Sequence, residues 1–145
     1  MTTIHNESFA DLEPETLYAL LRLRVDVFVV EQKAAYPELD GRDLEPGTRH
    51  VWVDSPEGPV GYLRILDDGS ALRIGRVVVT PRKRGQGLSD ALMRAALATI
   101  GSRPSVLDAQ TPLVAWYETF GYTRTGPDFL DVGILHTPMR RAAPN

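Results

Sequence analysis

The order in which the hydrophobic period changes along this 145-residue chain predicts an α/β fold, a mixed sheet with helices on both faces. Three observations carry that reading. Apolar residues recur near helical spacing after Pro14 and again after Gly87. Between them lie three extended runs separated by strong turn signals. A β-branched run then enters a basic, glycine-spaced turn that opens straight into a helix.

Residues 3–8 suit a short first strand. Pro14 fits a first helical position, and Leu17, Leu20, Leu21, Val25 and Phe28 form a core-facing stripe behind it. Residues 31–47 hold two prolines, two glycines and five acids, and read as loop with room for one short helix. Strands are predicted at 49–53, 60–66 and 72–79, divided by Ser55-Pro56-Glu57-Gly58 and Asp67-Asp68-Gly69-Ser70. The helix over 87–100 stops at Gly101. A short strand at 105–109 leads to Thr111 as N-cap and Pro112 at the first helical position. That helix carries Leu113, Trp116, Tyr117 and Phe120 and ends at Gly121. Strands at 122–125 and 134–139 follow, and residues 140–145 read as a loose tail. The order is β, α, loop, βββ, α, β, α, ββ, in one domain spanning 1–145.

Composition narrows the function. Hydrophobic content of 43% and charge of 24% are those of an ordinary globular domain. No apolar run approaches the ~20 residues of a membrane span. The first residues lack the basic and apolar layout of a signal peptide, so a cytoplasmic location and no membrane partner are expected. The absence of cysteine removes disulfides, thiolate metal sites and a cysteine nucleophile. His5, His50 and His136 show no metal-ligand spacing, and no metal is expected. A net charge of −3 gives no electrostatic case for nucleic acid. The distribution is more telling. Arg73, Arg76, Arg82, Lys83 and Arg84 cluster without an acid between them. Glu31, Glu38, Asp40, Asp43 and Glu45 stand against Lys33 and Arg42 alone. A basic centre suits an anionic cofactor, and an acidic one suits a cationic amine, although a solvated acidic loop is the plainer reading of the second.

The basic centre is the turn Arg82-Lys83-Arg84-Gly85-Gln86-Gly87, which runs into Leu88-Ser89-Asp90. Unpaired N–H groups and the helix dipole make such a helix start an anion site. Gly85 and Gly87 let a phosphate approach the backbone. No Lys-Ser or Lys-Thr follows Gly87, which argues against a P-loop. Asp90 stands where a dinucleotide fingerprint needs its third glycine. The spacing Arg82-x-x-Gly85-x-Gly87 resembles the coenzyme A signature of the GCN5-related N-acetyltransferases, the GNAT family. A second landmark of that family resembles the run from Gln110 to Tyr122. Tyr117, Gly121 and Tyr122 fall in register, while Gln110 stands for the usual asparagine and Leu113 for a small residue.

The resemblance spans most of the chain. It implies a mixed, mostly antiparallel sheet whose fourth and fifth strands part in a V around acetyl-coenzyme A. It implies cofactor contacts from Val77, Val78, Val79, Arg82, Lys83, Arg84, Gly85, Gln86, Gly87, Leu88, Ser89 and Gln110. The implied reaction is attack of a primary amine, on a small molecule or a peptide, at the acetyl thioester. A backbone N–H of 77–79 would face the developing oxyanion, and Tyr117 would protonate the departing thiolate. With the resemblance set aside, Tyr117 reads rather as a core aromatic on an amphipathic helix. Glu31, His50 and His136 are the candidate bases by residue type.

Residues 17–32 and 36–43, with Arg49-His50, Tyr62-Leu63-Arg64-Ile65, Ile74-Gly75-Arg76-Val77 and 133–139, resemble the ElaA-like branch. Phe28, Glu31, Asp40, Asp43, Arg76 and His136 are the candidate acceptor-side residues. The set Arg24, Phe28, Asp40, Asp43, Arg64 and Arg76 also resembles acyl-homoserine lactone synthases, an alternative enzyme class. The charged members can equally form a buried ion-pair network that fixes the front loop. A third reading is an acetyl-coenzyme A-binding sensor or interaction module without turnover. Homodimers are common among such proteins, but no exposed apolar stripe in the sequence argues for one.

Overall fold

The computed structural model, which describes residues 3–143, folds the predicted extended runs and one further short strand into one eight-stranded sheet. Strands β1 (Thr3–Glu7), β2 (Arg49–Asp54), β3 (Gly61–Asp67) and β4 (Leu72–Val79) form an antiparallel meander. β4 pairs in parallel with β5 (Ser105–Gln110), and β8 (Ile134–Arg141) returns antiparallel to β5. β6 (Thr123–Arg124) and β7 (Phe129–Asp131) both pair with β8. The parallel step needs a crossover, which the helix α2 (Leu88–Ile100) supplies.

Strand alternation divides the core into two faces. Val51, Val53, Leu63, Ile65 and Ile74 pack against Leu92, Met93, Ala96 and Ile100 of α2, and Leu107, Ala109 and Met139 extend this cluster. Trp52, Tyr62 and Val78 turn the other way, onto Leu20, Leu23 and Val27. The helix α1 (Pro14–Arg24) therefore covers the front face, and α2 with the short α3 (Val114–Glu118) covers the back.

Four details differ from the sequence expectation. The first helix passes beyond Arg24 into a π-helical segment, Val25–Glu31, with bonds from Gln32 N–H to Val27 O and Ala34 N–H to Val29 O. Val25, Val27, Val29 and Val30 crowd a normal turn there. The third helix is shorter than predicted. Residues Thr111–Leu113 form a 3-10 turn, and the Thr111 hydroxyl bonds Thr137 Oγ1 at 2.9 Å instead of capping. β7 was hidden because its hairpin turn, Val132-Gly133, needs left-handed backbone at both positions (φ 49° and 75°), which a valine does not signal. β8 runs to Arg141, so the first two residues of the predicted loose tail are strand. Arg141 Nε donates to Phe120 O. Residues 144 and 145 lie outside the described residues.

Candidate active site

Parallel pairing between β4 and β5 is confined to Leu72↔Ser105 and Arg73↔Val106. From Ile74 onward the two strands part, and β4 has no strand partner on that side. A cavity of about 520 Å³ fills the gap. Thr80 N–H bonds Val60 O on the β3 side, so alternation turns the N–H groups of Val77 and Val79 toward the gap. A bulge opposite Leu63, with Arg76 at φ 55°, bends β4 beside them.

At the open end of the gap the chain enters the basic turn. Gly85 (φ 77°) and Gly87 (φ 80°) adopt left-handed backbone, and a Cβ on either would meet nothing within 4 Å. Space therefore lies in front of both. Gly87 precedes α2 with no side-chain cap, which leaves the first N–H groups of a thirteen-residue helix free for an anion. A hollow of about 330 Å³ lies here, lined by Lys83, Gly85, Gly87, Leu88 and Asp90. It shares Val79, Arg84 and Ser89 with the larger cavity, so the two form one cleft. That shape fits a phosphate group followed by an extended arm.

The turn's cations differ in what they do. Arg82 pairs with Glu57 at 2.8 Å, and both side chains are well exposed. Arg84 is fixed: Nε donates to Val79 O at 3.0 Å, while its two terminal nitrogens bind both Glu31 oxygens at 2.7 and 2.9 Å. Gln86 is exposed in the turn. Gln110 lines the cleft at the end of β5, in register with His136.

Tyr117 lines the cleft from the back face at 6% exposure. Its ring stacks edge-on against Trp116 and Tyr122. Burial, and then the nearby Tyr122, push its phenol above the ordinary tyrosine range, so it is protonated at neutral pH. Trp116 lines the same cleft, with Nε1 donating to Asp90 at the start of α2.

The candidate acceptor residues separate into two groups. Phe28, Arg76 and His136 line the cleft. Glu31, Asp40 and Asp43 do not. The Glu31 carboxyl is held below its ordinary range by its hydrogen bonds from Arg84. Asp40 and Asp43 belong to an ion network with Arg24, Glu38, Arg64 and Arg76. Arg24 bonds Glu38 at 2.7 Å and Asp43 at 2.8 Å. Arg64 bonds Asp40 at 2.6 Å and Asp43 at 3.1 Å, and Arg76 bonds Glu38 at 2.9 Å. Burial would raise the Asp43 carboxyl, but the hydrogen bonds and charge of Arg24 and the charge of Arg64 outweigh it and hold it low. His50 is buried with both ring nitrogens engaged, by Tyr62 Oη at 2.7 Å and Asp43 O at 3.1 Å. Tyr36, whose hydroxyl bonds Glu38, also faces the cleft. Nothing in the spacing of 31–47 singled it out.

The model of the acetyltransferase (GNAT) domain family matches residues 13–143. This chain belongs to the GNAT family. Its GNAT relatives include the UPF0039 protein Rv2851c of Mycobacterium tuberculosis, 49% identical over 136 residues, which are 90% of this chain and 87% of that one. The crystal structure of an acyl-CoA N-acyltransferase from Pseudomonas aeruginosa superposes with a TM-score of 0.94 at 40% identity, covering 98% of this chain and all of that one. Escherichia coli ElaA superposes at 0.92 with 35% identity, covering 97% and 99%. The GNAT chain thus sits with the ElaA and UPF0039 proteins, on an acyl-CoA N-acyltransferase fold. No helix among the described residues is long and apolar enough to cross a membrane.

Proposed function

We propose that this GNAT protein is a cytoplasmic N-acetyltransferase that moves an acetyl group from acetyl-coenzyme A to a primary amine of a small molecule or peptide. The observation that carries the reading is the single cleft running from the Gly85–Gly87 turn, past the open side of β4, to Tyr117. The turn's N–H groups, with Arg82 and Lys83, bind the pyrophosphate. Arg84 braces the turn, since its guanidinium is already committed to Glu31 and Val79 O. One backbone N–H of the Val77–Val79 run donates to the carbonyl oxygen as it gains charge. Tyr117, buried and protonated, gives its proton to the sulfur as the C–S bond breaks.

Arg24, Asp40, Asp43, Arg64 and Arg76 are committed to ion pairs among themselves and with Glu38, which favours a structural role over that of an acyl-homoserine lactone synthase site. The test is Tyr117→Phe, followed by thiol release from acetyl-coenzyme A in the presence of an amine panel. The rate is expected to fall about 10²- to 10⁴-fold while cofactor affinity holds. An unchanged rate would remove Tyr117 from the mechanism.

A further inference from the structure

We infer that His136 is the general base that takes the proton from the incoming amine; the inference rests on the acetyltransferase reading above. Its ring chemistry is set by one contact. Nδ1 lies 2.8 Å from the Ile134 carbonyl oxygen, which can only accept, so Nδ1 carries the hydrogen. In the neutral ring the lone pair therefore sits on Nε2, which has no hydrogen-bond partner among the described residues. Phe129 stacks on the ring at 5.8 Å and fixes its plane.

Sheet parity places His136 opposite the proton donor. On β8, Met139 points into the back core with Leu107 and Ala109. Alternation then turns Ile134 and His136 to the front, beside Gln110, the register partner of His136. Tyr117 belongs to the back core. Both side chains line the same cleft. An amine entering from the front meets His136 before the thioester, and the sulfur leaves toward Tyr117 behind. The other bases named by residue type are spent: Glu31 on Arg84, and His50 on Tyr62 and Asp43.

The step balances. The ammonium gives one proton to His136 Nε2, and its freed lone pair forms the N–C bond while the carbonyl pair moves onto oxygen. That pair returns as the C–S bond breaks, and the sulfur takes the Tyr117 proton. The extra proton on nitrogen leaves as the amide forms and restores Tyr117 through solvent in the cleft. The imidazolium releases the one net proton. The other charged groups lining the cleft are Asp108 on β5, bonded to Arg73 on β4, Arg64 and Arg76 on β3 and β4, Arg84 at the turn, and Asp131 at the β7 end.

The test measures thiol release from acetyl-coenzyme A against pH, with butylamine, phenethylamine and a lysine-containing peptide as acceptors. Wild type is expected to show a rate that rises with pH in a single limb. His136→Gln is expected to lose that limb and about 10²-fold in kcat, with acetyl-coenzyme A affinity unchanged as proof of fold. His136→Ala is expected to regain rate on added imidazole, which a merely structural histidine would not allow. A His136→Gln profile matching wild type, or a limb lost only in Asp131→Asn, would overturn the proposal. No thiol release by wild type with any of these amines would remove the acetyltransferase reading, and the role of His136 with it.

Discussion

Arg24 is 1% exposed, and its guanidinium is shared between Glu38 and Asp43. An ion placed so deep is tolerated only with partners, and removing it leaves Glu38 and Asp43 with Arg76 and Arg64 alone to pair them. Arg24→Leu is expected to cost about 3–5 kcal/mol, read from urea unfolding midpoints at a constant slope. A loss under about 1 kcal/mol would show that Arg64 and Arg76 alone satisfy both acids. The sequence places such charges beside apolar strand positions, which makes a network a natural expectation. It does not say which acid each arginine chooses. Glu38 serves both Arg24 and Arg76, yet it sits in a stretch without periodicity, where no spacing marks it. The place of Tyr117 in the cleft wall, by contrast, was legible through the register that Gly121 and Tyr122 set.

At the scale of elements, the turn before α2 was the most readable part of the site, because each glycine there has a local reason. Gly87 combines a left-handed φ of 80° with open space where a Cβ would stand. Gly87→Val therefore adds backbone strain of about 1–2 kcal/mol and fills the open space before the helix start. Abolished acetyl-coenzyme A binding is expected by calorimetry. Gly69→Val is the control, with the same strain (φ 87°) in the β3–β4 turn and normal affinity. Equal affinities in the two variants would show that the turn holds no phosphate. Elements set by local chemistry were legible: β2 to β4 by their turns, α2 by its stripe and by Gly101. The π-helical segment and β7 were not. The first depends on how a valine run relieves its own crowding. The second exists only through pairing with β8.

The whole molecule is a sheet held together at one end of the β4–β5 seam and open along the rest. Two register pairs and the Arg73–Asp108 contact close the joined end. The V was implied by family resemblance, since no sequence period reports where two strands stop pairing. Under the proposed function the faces divide the work: α1 and the front network border the amine's approach, and α2 and α3 carry the turn and Tyr117. A ligand that fills the V must therefore span both the turn and the seam. The most direct test is calorimetric titration of acetyl-coenzyme A beside S-acetylpantetheine, which lacks the pyrophosphate and nucleotide. We predict a Kd of about 1 μM for acetyl-coenzyme A, roughly −8 kcal/mol, and no measurable binding of the truncated thioester. No binding of either, or equal binding of both, would contradict the assignment of this cleft to coenzyme A.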